Sequence, residues 1–227
     1  MSLTRLLLAA LVAVPLGLII AIPSASARED YETRNQALDD YEPDIVRGQV
    51  MFRQCALCHG QRGQGIIGGK YPRIAGFPEY YLMNALRDYQ AGRRGYDAML
   101  VVGGLKTYDD RQLMDLSGYI AQLEIDLSVP IPEQGNARGG SRKYRNDCRT
   151  CHGRRAEGLS RKDSPPLRGQ YYQYLLRQIA LFRSGERIHA DDPEDETFDI
   201  YDESDVFDIL AFVASFDGAA DDEEENE

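Results

Sequence analysis

Cys55-Ala-Leu-Cys58-His59 and Cys148-Arg-Thr-Cys151-His152 are the stretches on which the reading of this chain turns. Both match C-x-x-C-H, the attachment sequence for c-type haem. The spacing has a physical reason. Two residues between the thiols let both sulfurs reach the vinyl groups of one porphyrin as thioethers, and the adjacent histidine then lies under the iron as its proximal ligand. Four cysteines in an exported chain would otherwise suggest disulfides or a zinc site. The gap of 89 residues between the pairs is far from zinc-site spacing, and each pair carries its own histidine. The motifs therefore predict two covalently attached haem c groups, held through Cys55, Cys58, Cys148 and Cys151, with His59 and His152 on the irons.

Comparing the chain with itself shows the same unit used twice. An ungapped offset of 93 residues superposes the two motifs and then Gly60 on Gly153, Pro72 on Pro165, Gly76 on Gly169, Tyr81-Leu82 on Tyr174-Leu175, Gly92 on Gly185, Arg94 on Arg187 and Tyr108-Asp109 on Tyr201-Asp202. Chance does not align so many turn and core residues, so the chain holds two homologous domains. In the first, helices are expected over about Asp44 to Cys58, from Glu79 to Ala91 with Gly92 ending it, and after the N-cap Asp109 with Leu113, Leu116, Ile120 and Leu123 on one face. The counterpart after Asp202 is expected to bury Val206, Ile209, Val213 and Phe216. No strand pattern stands out. The fold class is all-α, in two tandem domains of about three main helices around a haem, which supplies the apolar centre that so small a domain lacks. The expected boundaries are 44–126 and 137–217, joined by a short connector, 127–136, that holds Pro130, Pro132 and Gly135.

The ends of the chain fix its compartment. Arg5, an apolar run from Leu6 to Ile22 and small residues up to Ala27 read as a secretory signal peptide over 1–27, cut after Ala27 to leave 200 of the 227 residues. A periplasmic protein with no membrane span after cleavage is expected. A polar segment, 28–43, follows, and the chain closes on an acidic tail, 218–227, expected to be disordered. Net charge is −11, and −12 once Arg5 leaves with the leader. That excludes nucleic acid as a partner and favours redox proteins with a basic docking surface. The balance is uneven, because Arg138 to Arg168 holds ten Lys or Arg against three acids, whereas beyond Glu186 the only Lys or Arg is Arg187. Such an asymmetry can orient docking.

With these motifs in place, the chain resembles the two-domain dihaem class I cytochromes c, bacterial periplasmic electron carriers. Beyond the attachment motifs, the resemblance rests on Pro72-x-x-x-Gly76, Tyr81-Leu82, Gly92-x-Arg94 and Met99, and on the partial repeat Pro165-x-x-x-Gly169, Tyr174-Leu175 and Gly185-x-Arg187. It implies a methionine sulfur on the distal side of each iron, arriving from the loop between the second and third helices. Met99 occupies that place in the first domain, in a segment between Gly95 and Gly103-Gly104 that need not be helical. Arg94 and Arg187 resemble positions that pair with haem propionates, and Pro72 and Pro165 positions that shape the proximal loop.

The second domain departs from the pattern. Asp192 stands 93 residues after Met99, and no methionine follows Met114. His189, in the same loop, is the chain's one remaining histidine and the preferred distal ligand. An open iron, or ligation by Lys162 or Tyr201, are the alternatives. No nucleotide-binding fingerprint and no nucleophile with a base is present, so an electron-transfer protein is expected rather than an enzyme. Two other readings compete: a haem subunit of a larger oxidoreductase, and a cytochrome whose second iron binds a small gas or reduces peroxide.

Overall fold

The structure is a computed structural model that describes residue 38 and residues 40–216 other than 67, 96 and 191. The expected leader, most of the polar segment after it and the acidic tail lie outside the described residues. Backbone contacts divide the chain between Asp40 and Tyr41, and the second part carries both copies of the repeat.

The first copy consists of α1 (Ile45–His59), α2 (Glu79–Gln90), a short α3 (Asp97–Val101) and α4 (Asp110–Ala121). The second consists of α5 (Ala137–Asp147), α6 (Arg149–His152), α7 (Tyr172–Arg183) and α8 (Glu203–Ala214). Among the described residues, extended pairing is limited to two isolated bridges, Leu159 with Ser164 and His189 with Asp192. The chain is all-α, as its periodicity implies.

The expected caps form. Asp109 accepts from the Gln112 N–H at 2.9 Å while the Gln112 side chain accepts from the Asp109 N–H at 3.0 Å, and Asp202 with Asp205 repeats this box. On α4, Leu113, Leu116 and Ile120 are buried at helical spacing. On α8 the stripe is Val206, Leu210 and Val213, and the expected Ile209 and Phe216 pack only against its edge. Tyr144 is the large buried side chain of α5, and its hydroxyl donates to the Gly153 carbonyl at 2.7 Å.

The 93-residue register fails in one place. The N-caps Asp44 and Asn136 are 92 residues apart, as are the crossing glycines Gly48 and Gly140 and the buried rings of Phe52 and Tyr144. The extra residue is absorbed where the second copy breaks its helix at Cys148, between α5 and α6, whereas α1 runs unbroken into His59. In both copies the first helix crosses the last through a glycine. A Cβ on Gly48 would lie 2.1 Å from the Asp115 carbonyl oxygen, and one on Gly140 only 1.9 Å from that of Asp208. The same two aspartates accept from the cap N–H groups of Asp44, at 2.7 Å, and of Asn136, at 2.8 Å. Backbone faces backbone at each crossing and neither side yields cheaply. Gly140→Ala is therefore expected to cost about 1–3 kcal/mol. A thermal melt should show it as a Tm lowered by about 2–4 °C for each kcal/mol.

The two copies also bond to each other. Gln170 accepts from the Arg73 N–H at 3.1 Å and donates to the Arg73 carbonyl at 2.9 Å. Tyr171 donates to the Gln64 carbonyl and Tyr80 to the Ser164 carbonyl, each at 3.0 Å.

Candidate haem sites

On the proximal side the two copies repeat one device. His59 ends α1 and is buried, and its Nδ1–H donates to the Pro72 carbonyl at 2.8 Å. His152 ends α6, and its Nδ1–H donates to the Pro165 carbonyl at 2.9 Å. That bond fixes the tautomer and leaves each Nε2 with a free lone pair. Burial pushes both histidines below their ordinary pKa, so both imidazoles are neutral and fit to bind iron. The carbonyls reach the rings because Gly65 and Gly158, at φ +74° and +79°, let the loop fold back. A Cβ there would come within 2.8 Å of the Pro72 and Pro165 carbonyl carbons.

No disulfide joins the four cysteines, and all are half-buried. Burial pushes the Cys55 thiol up to about 11 and that of Cys148 up to about 12. Burial thus shields these two thiols. Among the described residues, no group of three or more His, Cys, Asp or Glu side chains is arranged to hold a bare metal ion.

The loop after α7 in the second copy packs around His189. The centroid of its ring lies 6.4 Å from that of His152, with the two planes 22° from parallel. A metal–imidazole bond of about 2 Å, with the ring centre about 1.1 Å further out, puts two imidazoles on opposite faces of one metal at about 6.3 Å between centroids. The observed centroid spacing matches that distance. His189 Nδ1 donates to Asp195 Oδ2 at 3.0 Å, and Asp195 Oδ1 accepts from the Thr197 N–H at 2.7 Å. Phe182 and Phe198 present their edges at 5.0 and 4.9 Å. His189 is thus held by a carboxylate and two rings, with Nε2 left over, and is not a solvated loop residue. Asp192, at the position matching Met99, is exposed.

Met99 lies half-buried in the middle of α3, so the segment that the sequence did not require to be helical forms a helical turn. The chain just after that turn is tied down twice. The Gln54 amide donates to the Val102 carbonyl at 2.6 Å, and the Gln90 amide donates to the Leu105 and Tyr108 carbonyls at 2.7 and 2.8 Å. Of the other methionines, Met83 is buried within α2, and Met51 and Met114 lie within α1 and α4.

Arg94 and Arg187 meet where the copies join. Arg94 is buried, and its guanidinium donates to the hydroxyls of Tyr174 at 3.1 Å and Tyr81 at 3.4 Å. Arg187 donates to the Gln178 side chain and lies over the Phe182 ring at 4.7 Å. Burial would push the Tyr81 phenol up, but Arg94 and Arg187 beside it outweigh that and hold it below its ordinary value. Burial, and then Arg94, lowers the pKa of Arg187. No carboxylate of the described residues pairs with either arginine. Arg73 is buried too, with Nε and Nη1 lacking any hydrogen-bond partner. Interior guanidinium groups without an acid are costly. The propionates of haem are anions of the right kind to satisfy them, so the residues present fit the cofactor. Sequence reasoning found Arg94 and Arg187 through the repeat but missed Arg73 and Asp195, whose counterparts at the 93-residue offset are Pro166 and Val102.

The cytochrome c family profile matches residues 45–124. A cytochrome c4 from Pseudomonas aeruginosa is 30% identical over 155 residues, covering 66% of this chain and 76% of the relative. One from Azotobacter vinelandii is 29% identical over 164 residues, covering 66% and 77%. The crystal structure of reduced cytochrome c4 from Pseudomonas stutzeri superposes with a TM-score of 0.67 at 24% identity, covering 76% of this chain and 98% of that one. With two tandem all-α domains, each presenting C-x-x-C-H, the molecule has the architecture of a dihaem class I cytochrome c, an electron-transfer protein rather than an enzyme. The chain belongs to the cytochrome c4 family, and its cofactor is covalently bound haem c.

Proposed function

We propose that this chain is a periplasmic electron carrier with two chemically unequal haems, one in each of the halves 44–126 and 137–217. His59 and Met99 bind the first iron, and His152 and His189 bind the second. The observation that carries this reading is the pair of near-parallel imidazoles, 6.4 Å apart, whose Nδ1 atoms are both engaged elsewhere. Haem supplies a one-electron iron couple; the chain's own residues set its level. A thioether opposite histidine favours ferrous iron, whereas a second imidazole donates more to ferric iron, so the second site has the lower potential. Arg94, Arg187 and Arg73 hold the propionates. The sequence's export signal supports the compartment, and its net charge of −11 favours redox partners with basic surfaces.

The test is intact mass and a redox titration of protein taken from the periplasm. The mass should equal the chain from Arg28 onward plus two haems, and the titration should resolve two waves. A mass with one haem or none, or two coincident waves, defeats the proposal. Asp195 gives a finer test, because a carboxylate on Nδ1 raises the basicity of a ligating imidazole. Asp195→Asn is expected to raise only the lower midpoint potential, by about 60 mV, a tenfold change for one electron.

A second reading makes the chain the haem subunit of a larger oxidoreductase. Supporting it is a relative from Thiomonas intermedia named thiosulfate dehydrogenase electron acceptor, 34% identical over 142 residues and covering 59% of this chain and 64% of the relative. Co-purification with a second polypeptide separates that reading from the free carrier.

A further inference from the structure

We infer that the second copy carries a docking surface for a protein with an acidic face, placed directly beside its haem-attachment motif. Two adjoining clefts, of about 270 and 610 Å³, open on this side of the molecule and share Arg149 and Arg154. Arg145 lines the smaller and Arg161 the larger, with Glu157 the one acid between them. All four arginines are exposed. Arg149, Arg154 and Arg161 have no ion-pair partner among the described residues. Phe212 and Phe216, both half-buried, add an apolar floor to the smaller cleft. Arginine beside aromatic rings is the composition of interface hot spots.

The duplication supplies an internal control. From the cysteine motif onward the copies run 93 residues apart, so Arg149 corresponds to Ala56, Arg154 to Gln61 and Arg161 to Gly68. The framework shared by both copies does not call for these arginines. They belong to the second copy alone, on a chain whose net charge is −11. Arg149 and Thr150 are the two residues between Cys148 and Cys151, so whatever sits in the larger cleft lies against the attachment segment. A protein with exposed carboxylates matches this surface in charge. Partners of opposite sign are thereby sorted, basic faces by the acidic bulk of the chain and an acidic face by this one patch. The surface owes nothing to the distal ligand of either iron, so it stands or falls independently of His189.

The probe is a reduced plant-type [2Fe–2S] ferredoxin, an acidic one-electron donor, mixed in stopped flow with the fully loaded ferric cytochrome. Each ferredoxin gives up one electron and one ferric iron becomes ferrous. The variant Arg149→Gln/Arg154→Gln/Arg161→Gln is compared with Arg53→Gln/Arg62→Gln/Lys106→Gln, which removes the same charge from exposed positions of the first copy. At low salt the cleft variant should lower the second-order rate constant about tenfold or more and flatten its fall with ionic strength, while the control changes it less than about twofold. Equal losses in both variants would mean that net charge alone matters, and would overturn the docking surface. Deleting residues 218–227 tests the chain's own acidic run as occupant. A rate that then rises about tenfold in the wild type, but not in the cleft variant, would assign the cleft to that run and likewise overturn the proposal.

Discussion

Replacing His189 with alanine is expected to turn the second iron from low-spin to high-spin and to let it bind carbon monoxide when reduced, while the first iron stays as it was. The wild type should show only low-spin iron and no shift of its reduced spectrum under carbon monoxide. The expectation follows from the way the ring is held. Asp195 fixes Nδ1 at 3.0 Å, Phe182 and Phe198 close on the ring at 5.0 and 4.9 Å, and His152 stands opposite at 6.4 Å. Alanine removes the one nitrogen donor in this loop and leaves space in its place. Lys162 lies in a turn after the proximal motif rather than in the distal loop, and the Tyr201 hydroxyl donates to Asp147, so neither takes over the position. A wild-type spectrum that already contains high-spin haem, unchanged in the variant, would sink the proposed ligation and favour the reading of the second iron as an open, ligand-binding site. Because imidazole donation is lost with the side chain, the lower midpoint potential should also rise, which a titration reads separately from the spin state.

What the sequence made legible follows from how local each feature is. The caps at Asp109 and Asp202 and the apolar stripe of α4 are short-range patterns; the caps form as read, and the stripe forms through Leu113, Leu116 and Ile120, while Leu123 lies beyond the helix end. Tyr144 is the side chain that α5 buries because nothing else in that helix is large and apolar enough. The extra residue before Cys148 was hidden, because an ungapped alignment anchored on the cysteines shows nothing of a helix break just upstream. It surfaces only when Gly140, like Gly48, is seen at the helix crossing. The helical turn around Met99 was missed because the glycines flanking it, Gly95 and Gly103-Gly104, argue for irregular chain. Gly103 and Gly104 in fact follow the turn, and the Gly103 N–H bonds back to the Ala98 carbonyl at 3.1 Å. Asp195 was illegible for a different reason. It lies in a run of acids, Asp191 to Glu196 broken only by Pro193, and nothing local distinguishes the carboxylate that turns to His189 from exposed ones such as Asp192, Glu194 and Glu196. The Arg94 and Tyr174 pairing is long-range by construction, since it exists only when one copy faces the other.

Met99→Ala is the counterpart experiment on the first iron, and its effect should run the opposite way. The weak far-red absorption that marks a sulfur–iron bond should vanish, and the higher midpoint potential should fall by on the order of 100 mV or more, because the thioether that favours ferrous iron is gone. The second site should keep both its spin state and its potential. The chain restricts what else could answer for a surviving band. Met83 is buried in the packing of α2, and Met51 and Met114 sit within α1 and α4, whose separation is fixed by the Gly48 crossing. Met99 alone lies on a short turn, and the chain that follows it is held through Gln54 and Gln90. The bonds matter for the size of the effect, since they restrain the chain after the turn from sliding another side chain into the vacated place. A band that persists in Met99→Ala would therefore require one of the helical methionines to be bound, and with it a different placement of the first haem. If the band is lost and the potential falls, the gap between the sites should narrow from above, just as loss of His189 should narrow it from below.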